Sequence, residues 1–386
     1  MTDLDRRRTL KMMAAAGAAT AAGCSVAEPA AKPGAGGPGE PQAAPVAAAS
    51  GAVLRVAALG PQWQTSDPFL FCAHHDDRYP AGNEALGPAA PLTGRRIGQD
   101  FAGVDGWRMY HGEVVPGFPR HPHRGFETVT VVRTGLLDHS DSLGARARYG
   151  GGDVQWMTAG KGILHAEMFP LLNREGENPL ELFQIWLNLP AADKLVAPVF
   201  EMLWDNTIPR VREQDSEGRA TTVTMVAGRY ASKAPPSPPS NSWAARSDSD
   251  VAIWTIKLDA NAQWTLPAAS VGTERSLYFF EGSGLQVAAQ TIPDYHRVVV
   301  SPDAPVQLRA GPSGAELLLL QGRPIGEPIA RQGPFVMNTQ DEIRQAFADY
   351  RATGFGSWPW GGSDPVHGAA EGRFAQPADG RVDTPV

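Results

Sequence analysis

The sequence predicts an all-β fold: two β-barrel-like domains in tandem, closed by one short C-terminal helix. Three observations predict it. Strand-like runs broken by Gly, Pro and Asp turns fill residues 52–200 and again residues 201–331. Helical periodicity is missing until Asn338. Gly (42) and Pro (34) both exceed average use, as a turn-rich β chain requires.

The first element is an export signal over residues 1–24. "DRRRTLK" (Asp5–Lys11) is a basic n-region, and the Ala-rich run after it is too short to span a bilayer as a helix. Arg6 and Arg7, followed by Leu10 and Lys11, resemble a twin-arginine motif. "AAGC" (Ala21–Cys24) has the form of a lipoprotein box, although Ala21 stands where Leu is preferred. Cys24 is therefore the lipidation candidate, and any membrane contact would come through that anchor. The expected location is the periplasm or cell envelope. Residues 25–51 are an Ala/Pro/Gly linker that cannot build a core. Only one further cysteine follows, Cys72, so no disulfide framework is available. The formal net charge of −7 argues against non-specific nucleic-acid binding.

Residues 52–200 form the first expected domain, with strands such as "AVLRVAAL", "FETVTVV", "DVQWMT" and "LELFQIWLNL". Asp193–Arg210 reads as a connector. Residues 201–331 form the second, interrupted by the Pro/Ser-rich "SKAPPSPPSNSWAARSDSD", which no strand would tolerate. Residues 332–354 are a C-terminal segment whose helix carries a capping box, Thr339 with Glu342, and a Gly354 stop. Residues 355–386 read as a polar, disordered tail.

Two short strings carry the chemistry. His121 and His123 lie two apart in a strand pattern, so they project to one face. His165 and Glu167 repeat the arrangement. A β-meander across Gly152, Gly160 and Gly162 would bring the pairs together. Three imidazoles and a carboxylate suit one divalent transition metal with open positions, and no thiolate is present. Glu127 shares the parity of His121 and His123, so on spacing alone it competes with Glu167 for the carboxylate place. A lone histidine is usually only a hydrogen-bonded core or surface residue; two H-x-[HE] pairs are harder to dismiss. "CAHHDD" (Cys72–Asp77) is a weaker second cluster, better read as strand with a buried Cys72.

"HPHRGFETVT", "GDVQWMTAGKGILHAEM", "QIWLNLP", "DPFLF" and "GPFVMNTQDEIRQAFADY" resemble the pirin family of the cupin superfamily, over about residues 52 to 351. The resemblance implies a bicupin of two β-sandwich barrels with metal only in the first. It implies His121, His123, His165 and Glu167 as ligands, so Glu167 is preferred over Glu127, which remains a candidate at one remove from the metal. The implied metal is non-haem iron, Fe(II), one per chain. Consistently, residues 201–331 hold a single histidine, His296. Some bacterial pirins have quercetin 2,3-dioxygenase activity, which implies O2 and a flavonol, enediol or catechol-type substrate. Glu167 would then also be the catalytic proton acceptor. Trp156, Met157, Gln184 and Trp186 are candidate pocket residues, each with ordinary packing as the bland reading. The alternative is a non-catalytic exported metal- or redox-sensing binding protein. The export reading has a direct check. Arg6→Lys with Arg7→Lys should leave the folded protein in the cytoplasmic fraction; normal export would rule out the twin-arginine route.

Overall fold

A computed structural model describes residues 51–386. The signal and nearly all of the linker therefore lie outside the described residues. Strand β1 (Val53–Ala58) comes first, then nine strands that all belong to one barrel. They are β2 (Phe69–Tyr79), β3 (Gly117–His123), β4 (Phe126–Thr134), β5 (Leu136–Asp141), β6 (Arg146–Gly150), β7 (Val154–Thr158), β8 (Ile163–Met168), β9 (Asn178–Asn188) and β10 (Val199–Leu203). One sheet has the order β10-β7-β4-β9-β2. The facing sheet runs β6-β5-β8-β3. Between them lie Tyr79, Trp107, Met109, Tyr149, Met157 and Phe169, all buried.

The second barrel follows with β11 (Arg210–Gln214), β12 (Ala220–Ala227), β13 (Ala252–Leu258), β14 (Gln263–Leu266), β15 (Glu274–Gly282), β16 (Gln286–Val287), β17 (Gln290–Thr291), β18 (His296–Val300), β19 (Val306–Arg309) and β20 (Ala315–Gly322). Its large sheet has the order β1-β18-β15-β20-β13-β12-β11, and β14-β19-β16-β17 closes it. Alternating residues of β13, β15 and β20 send Trp254, Ile256, Leu277, Phe279, Leu317 and Leu319 into its interior. The other face of the same strands meets the first barrel. There Ile253, Tyr278, Leu318 and Leu320 pack on Val129, Val131, Trp156, Phe183 and Ile185. Trp63 stacks on Tyr278 at this seam, with centroids 5.1 Å apart.

The barrels exchange terminal segments. β1 pairs with β18 at the edge of the second barrel, not with the first domain that its position in the chain suggests. In return β21 (Ala330–Gln332), β22 (Phe335–Met337) and helix α1 (Gln340–Thr353) pack on the first barrel. Phe335, Ile343, Ala346 and Tyr350 cover Leu164 of β8. The Thr339–Glu342 capping box starts the helix and Gly354, with φ 61°, stops it. Arg124 donates to Asp349 at 2.7 Å, tying the helix to the link between β3 and β4.

Two sequence expectations are corrected here. The supposed connector contains β10, which extends the first sheet beside β7. The tail is ordered, because its few apolar residues and its backbone find partners on the first barrel. β23 (Phe374–Gln376) adds to the edge of β6. Arg148, fully buried and bidentate to Asp138, donates to the carbonyls of His367, Gly368 and Glu371. Trp360 Nε1 donates to the Asp141 carbonyl at 2.8 Å. Among the described residues, no helix is long and apolar enough to cross a membrane.

Candidate metal centre

The site is built on the pairing of β3 with β8. The strands run antiparallel with His121 directly opposite His165. A register irregularity between Phe118 and His121 keeps the two ends of the ladder paired. The ligand-type nitrogens of His121, His123 and His165 lie within 4.8 Å of one another. Their ring centroids are 4.4 to 4.9 Å apart. This is the one group of three or more metal-type side chains among the described residues.

The electrostatics favour neutral imidazoles. Burial pushes His121 down to about 4 and holds His123 and His165 well below the usual histidine value. Neutral imidazole is the form that binds metal. His121 Nδ1 lies 2.9 Å from the Pro119 carbonyl, so that nitrogen carries the proton and Nε2 keeps its lone pair. His165 is fully buried, and neither of its ring nitrogens has a hydrogen-bond partner. Two orphaned nitrogens on one buried ring are costly unless something else engages them. A borderline cation bound by one nitrogen from each of the three rings would engage one of these two nitrogens.

Glu167 stands beside this cluster, its Oε2 4.0 Å from His165 Nε2. Gln184 Nε2 donates to Oε2 at 3.0 Å, and Thr130 Oγ1 lies 3.3 Å from Oε1. Burial raises the carboxyl to about 7. The cluster forms one wall of a cavity of about 950 Å³. Phe118, Phe169, Leu182 and Trp186 make its apolar lining, and Gln184 reaches it from β9.

The remaining candidates are spread more widely. Glu127 is not near the cluster. A strand running unbroken from His121 to Glu127 would share one face, but the chain turns at Arg124–Gly125, where Gly125 has φ 84°. A Cβ there would come within 2.0 Å of the Val336 carbonyl oxygen, so only glycine fits. β3 and β4 then belong to different sheets, and Glu127 points with Val129 and Val131 into the inter-barrel seam. There it accepts from Thr158 Oγ1 at 2.7 Å and from Ser242 Oγ, in the Pro/Ser insertion, at 2.5 Å. Trp156 faces the same seam, and Met157 packs inside the barrel; neither lines the cavity. The Cys72–Asp77 string splits across its strand. Cys72 is buried in the seam and His74 pairs with Glu181 there. His75 and Asp77 turn inward, where Tyr110 hydroxyl contacts both, at 2.7 and 2.6 Å. In the second barrel the interior is filled with aliphatic and aromatic side chains, and His296 sits half-buried at the start of β18.

Sequence reasoning missed His139. It is fully buried, pairs in register with Glu167 across β5 and β8, and lies 5.5 Å from the His165 ring. Its Nε2 contacts Asp141 Oδ2 at 3.2 Å. The signal was present: "HSD" repeats the i, i+2 form of the two ligand strings. The cavity residues Tyr110, His111 and Arg331 come from loops and segments with no local motif.

A Pirin family profile matches residues 52–187, and a Pirin C-terminal cupin domain profile matches residues 253–356. A Pseudomonas aeruginosa protein named as a candidate quercetin 2,3-dioxygenase is 39% identical over 235 residues, covering 61% of this chain and 77% of that protein. Human pirin is 35% identical over 243 residues, with 61% and 76% covered. A crystal structure of a quercetin 2,3-dioxygenase from Acinetobacter baumannii aligns with TM-score 0.62 at 26% identity, over 79% of this chain and 98% of that one.

Two expectations follow from this geometry. Elemental analysis should find about one transition metal per chain, lost in His165→Ala and kept in Cys72→Ala; metal retained by the first variant would place the site elsewhere. Glu127 titrates at about 7 in the fold because of burial, against 4.5 for a free side chain. Its contribution is fully present below about pH 4.5 and is lost as pH rises to about 7, by up to about 3 kcal/mol. In urea melts, Glu127→Gln should therefore gain about 1–3 kcal/mol on the native chain between pH 4.5 and pH 8. An unchanged difference across that range would contradict it.

Proposed function

The chain belongs to the pirin family of cupin-fold proteins, and from that premise we propose that it is a non-haem iron dioxygenase acting on a flavonol, quercetin-like or catechol-type substrate. The observation that carries the reading is the convergence of three imidazoles, two of them buried, with the Glu167 carboxylate beside them, on a cavity of about 950 Å³, the upper end of the range for small-molecule sites. His121, His123, His165 and Glu167 would hold the ion. Bound there, ferrous iron supplies Lewis acidity and one-electron chemistry toward O2.

The chain's own residues supply the rest. Phe118, Phe169, Leu182 and Trp186 give an aromatic and aliphatic wall that excludes water and takes flat rings. Glu167, the one acidic residue lining the cavity, is placed to take a proton from a substrate hydroxyl at a carboxylate oxygen. Gln184 fixes the orientation of that carboxylate. His139, paired with Glu167 in the sheet, projects from the same face and lies 5.5 Å from the His165 ring. We further propose that residues 1–24 direct twin-arginine export with Cys24 as an anchor site, a reading supported by the order of basic, apolar and small residues.

The iron-loaded protein should consume O2 with quercetin under air. Glu167→Gln should lower kcat by about 10²-fold or more while the three imidazoles still retain metal. An unchanged kcat would remove Glu167 from the proton step. No O2 uptake with any flavonol or catechol at full metal occupancy would overturn the dioxygenase reading in favour of a metal- or redox-sensing binding protein.

A further inference from the structure

We infer that the substrate carries a carboxylate, and that Arg331 is the residue that selects it. This rests on the reading of the cavity as a substrate site and names the class of ring compound it takes.

Arg331 comes from β21, in the segment that the second half of the chain lays over the first barrel, and it lines the cavity. Its guanidinium carbon lies 4.8 Å from the Trp186 ring centroid and 5.9 Å from that of Phe71. Stacking of this kind fixes the plane of the fork without using its N–H groups. One donor reaches the Leu70 carbonyl at 3.4 Å, the limit of a hydrogen bond. Among the described residues, no carboxylate pairs with Arg331. Arg124, Arg133 and Arg148 pair with Asp349, with Glu181 and Glu316, and with Asp138; buried Arg275 and Arg297 have no carboxylate pair among the described residues, but neither lines the cavity.

The charge of the cavity agrees. Glu167 is its one acidic lining residue, against three arginines, Arg96, Arg108 and Arg331. Asp77 takes up Arg108, while Arg96 is exposed at the rim with no carboxylate partner among the described residues. A chain of net charge −7 thus presents a locally cationic pocket, which concentrates anions. Trp186 also sits 5.3 Å from His123, so one indole separates the guanidinium from the imidazole cluster. A planar ring lying along Trp186 would place one edge at the imidazoles and a carboxylate at the opposite edge against Arg331. A ring without a carboxylate could occupy the same place but would leave this guanidinium unpaired, and so would bind more weakly than its carboxylated counterpart.

The test uses binding of a matched pair, 2-naphthoate and 2-naphthalenemethanol, to the metal-loaded full chain under argon, by titration calorimetry. The native protein should bind the carboxylate about 10–100-fold tighter than the alcohol, the gain expected of a charge-assisted pair. Arg331→Gln should abolish that preference and leave the alcohol's affinity within about twofold. Arg331→Lys, which keeps the charge, should retain part of it. A preference that survives Arg331→Gln, an absent preference in the native chain, or equal weakening of both ligands would overturn the inference. No O2 or turnover enters the measurement. Failure of the dioxygenase reading would leave this result standing, and a lost preference here would leave that reading standing.

Discussion

The antiparallel pairing of β3 with β8 is the constraint on which the rest of the site depends. It sets His165, a fully buried imidazole with no hydrogen-bond partner at either nitrogen, opposite His121. A one-residue slip of β8 against β3 would turn one ligand string away from the face the other occupies. The structure guards that register from several sides. Helix α1 and β22 press on Leu164 in β8, and the Arg124–Asp349 pair ties α1 to the turn that ends β3. The tail braces β5 and β6 behind β8 through Arg148, which holds Asp138 and three tail carbonyls at once. Burial of a cluster this polar costs stability, and these long-range contacts hold it in place.

The two barrels use similar sheet architecture to opposite ends. In the second, strand alternation sends leucine, tryptophan and phenylalanine inward until the interior is solid. In the first, part of the interior is apolar packing, and the part beside β3 and β8 is left as an aromatic-walled cavity. The second barrel contributes to that cavity from outside, through Tyr295 and the crossing segment with Arg331 and Pro334. The seam between the barrels is itself mixed: an aromatic and aliphatic face, the Arg133–Glu316 pair across it, and the buried Glu127 held by Ser242. The Pro/Ser insertion, which looked like a mere interruption of the second domain, supplies that Ser242.

What was legible in the sequence was what local alternation encodes. The two ligand strings lie inside regular strands, so period-two reasoning places His121 with His123 and His165 with Glu167. The same rule failed for Glu127 because Gly125 breaks the strand and hands the chain to another sheet. It failed for Trp156 and Met157 because both faces of β7 are buried, one in the seam and one in the barrel, so hydrophobicity alone does not say which way is the pocket. The exchange of β1, the placement of β10 and the docking of the tail are pairings between residues far apart in the chain, for which no local pattern exists. The cavity-lining side chains that come from such segments, Arg331 and Tyr110 among them, were illegible for the same reason.

The central claim is that three imidazoles from two paired strands hold the metal. X-ray absorption spectroscopy of the iron-loaded chain measures this directly, since imidazole rings give a distinctive outer-shell scattering. The account predicts three imidazole nitrogens and one carboxylate oxygen in the first shell at about 2.0–2.2 Å, falling to two imidazoles or to no bound metal in His123→Ala. A shell with one imidazole or none, or an unchanged spectrum in that variant, would contradict it.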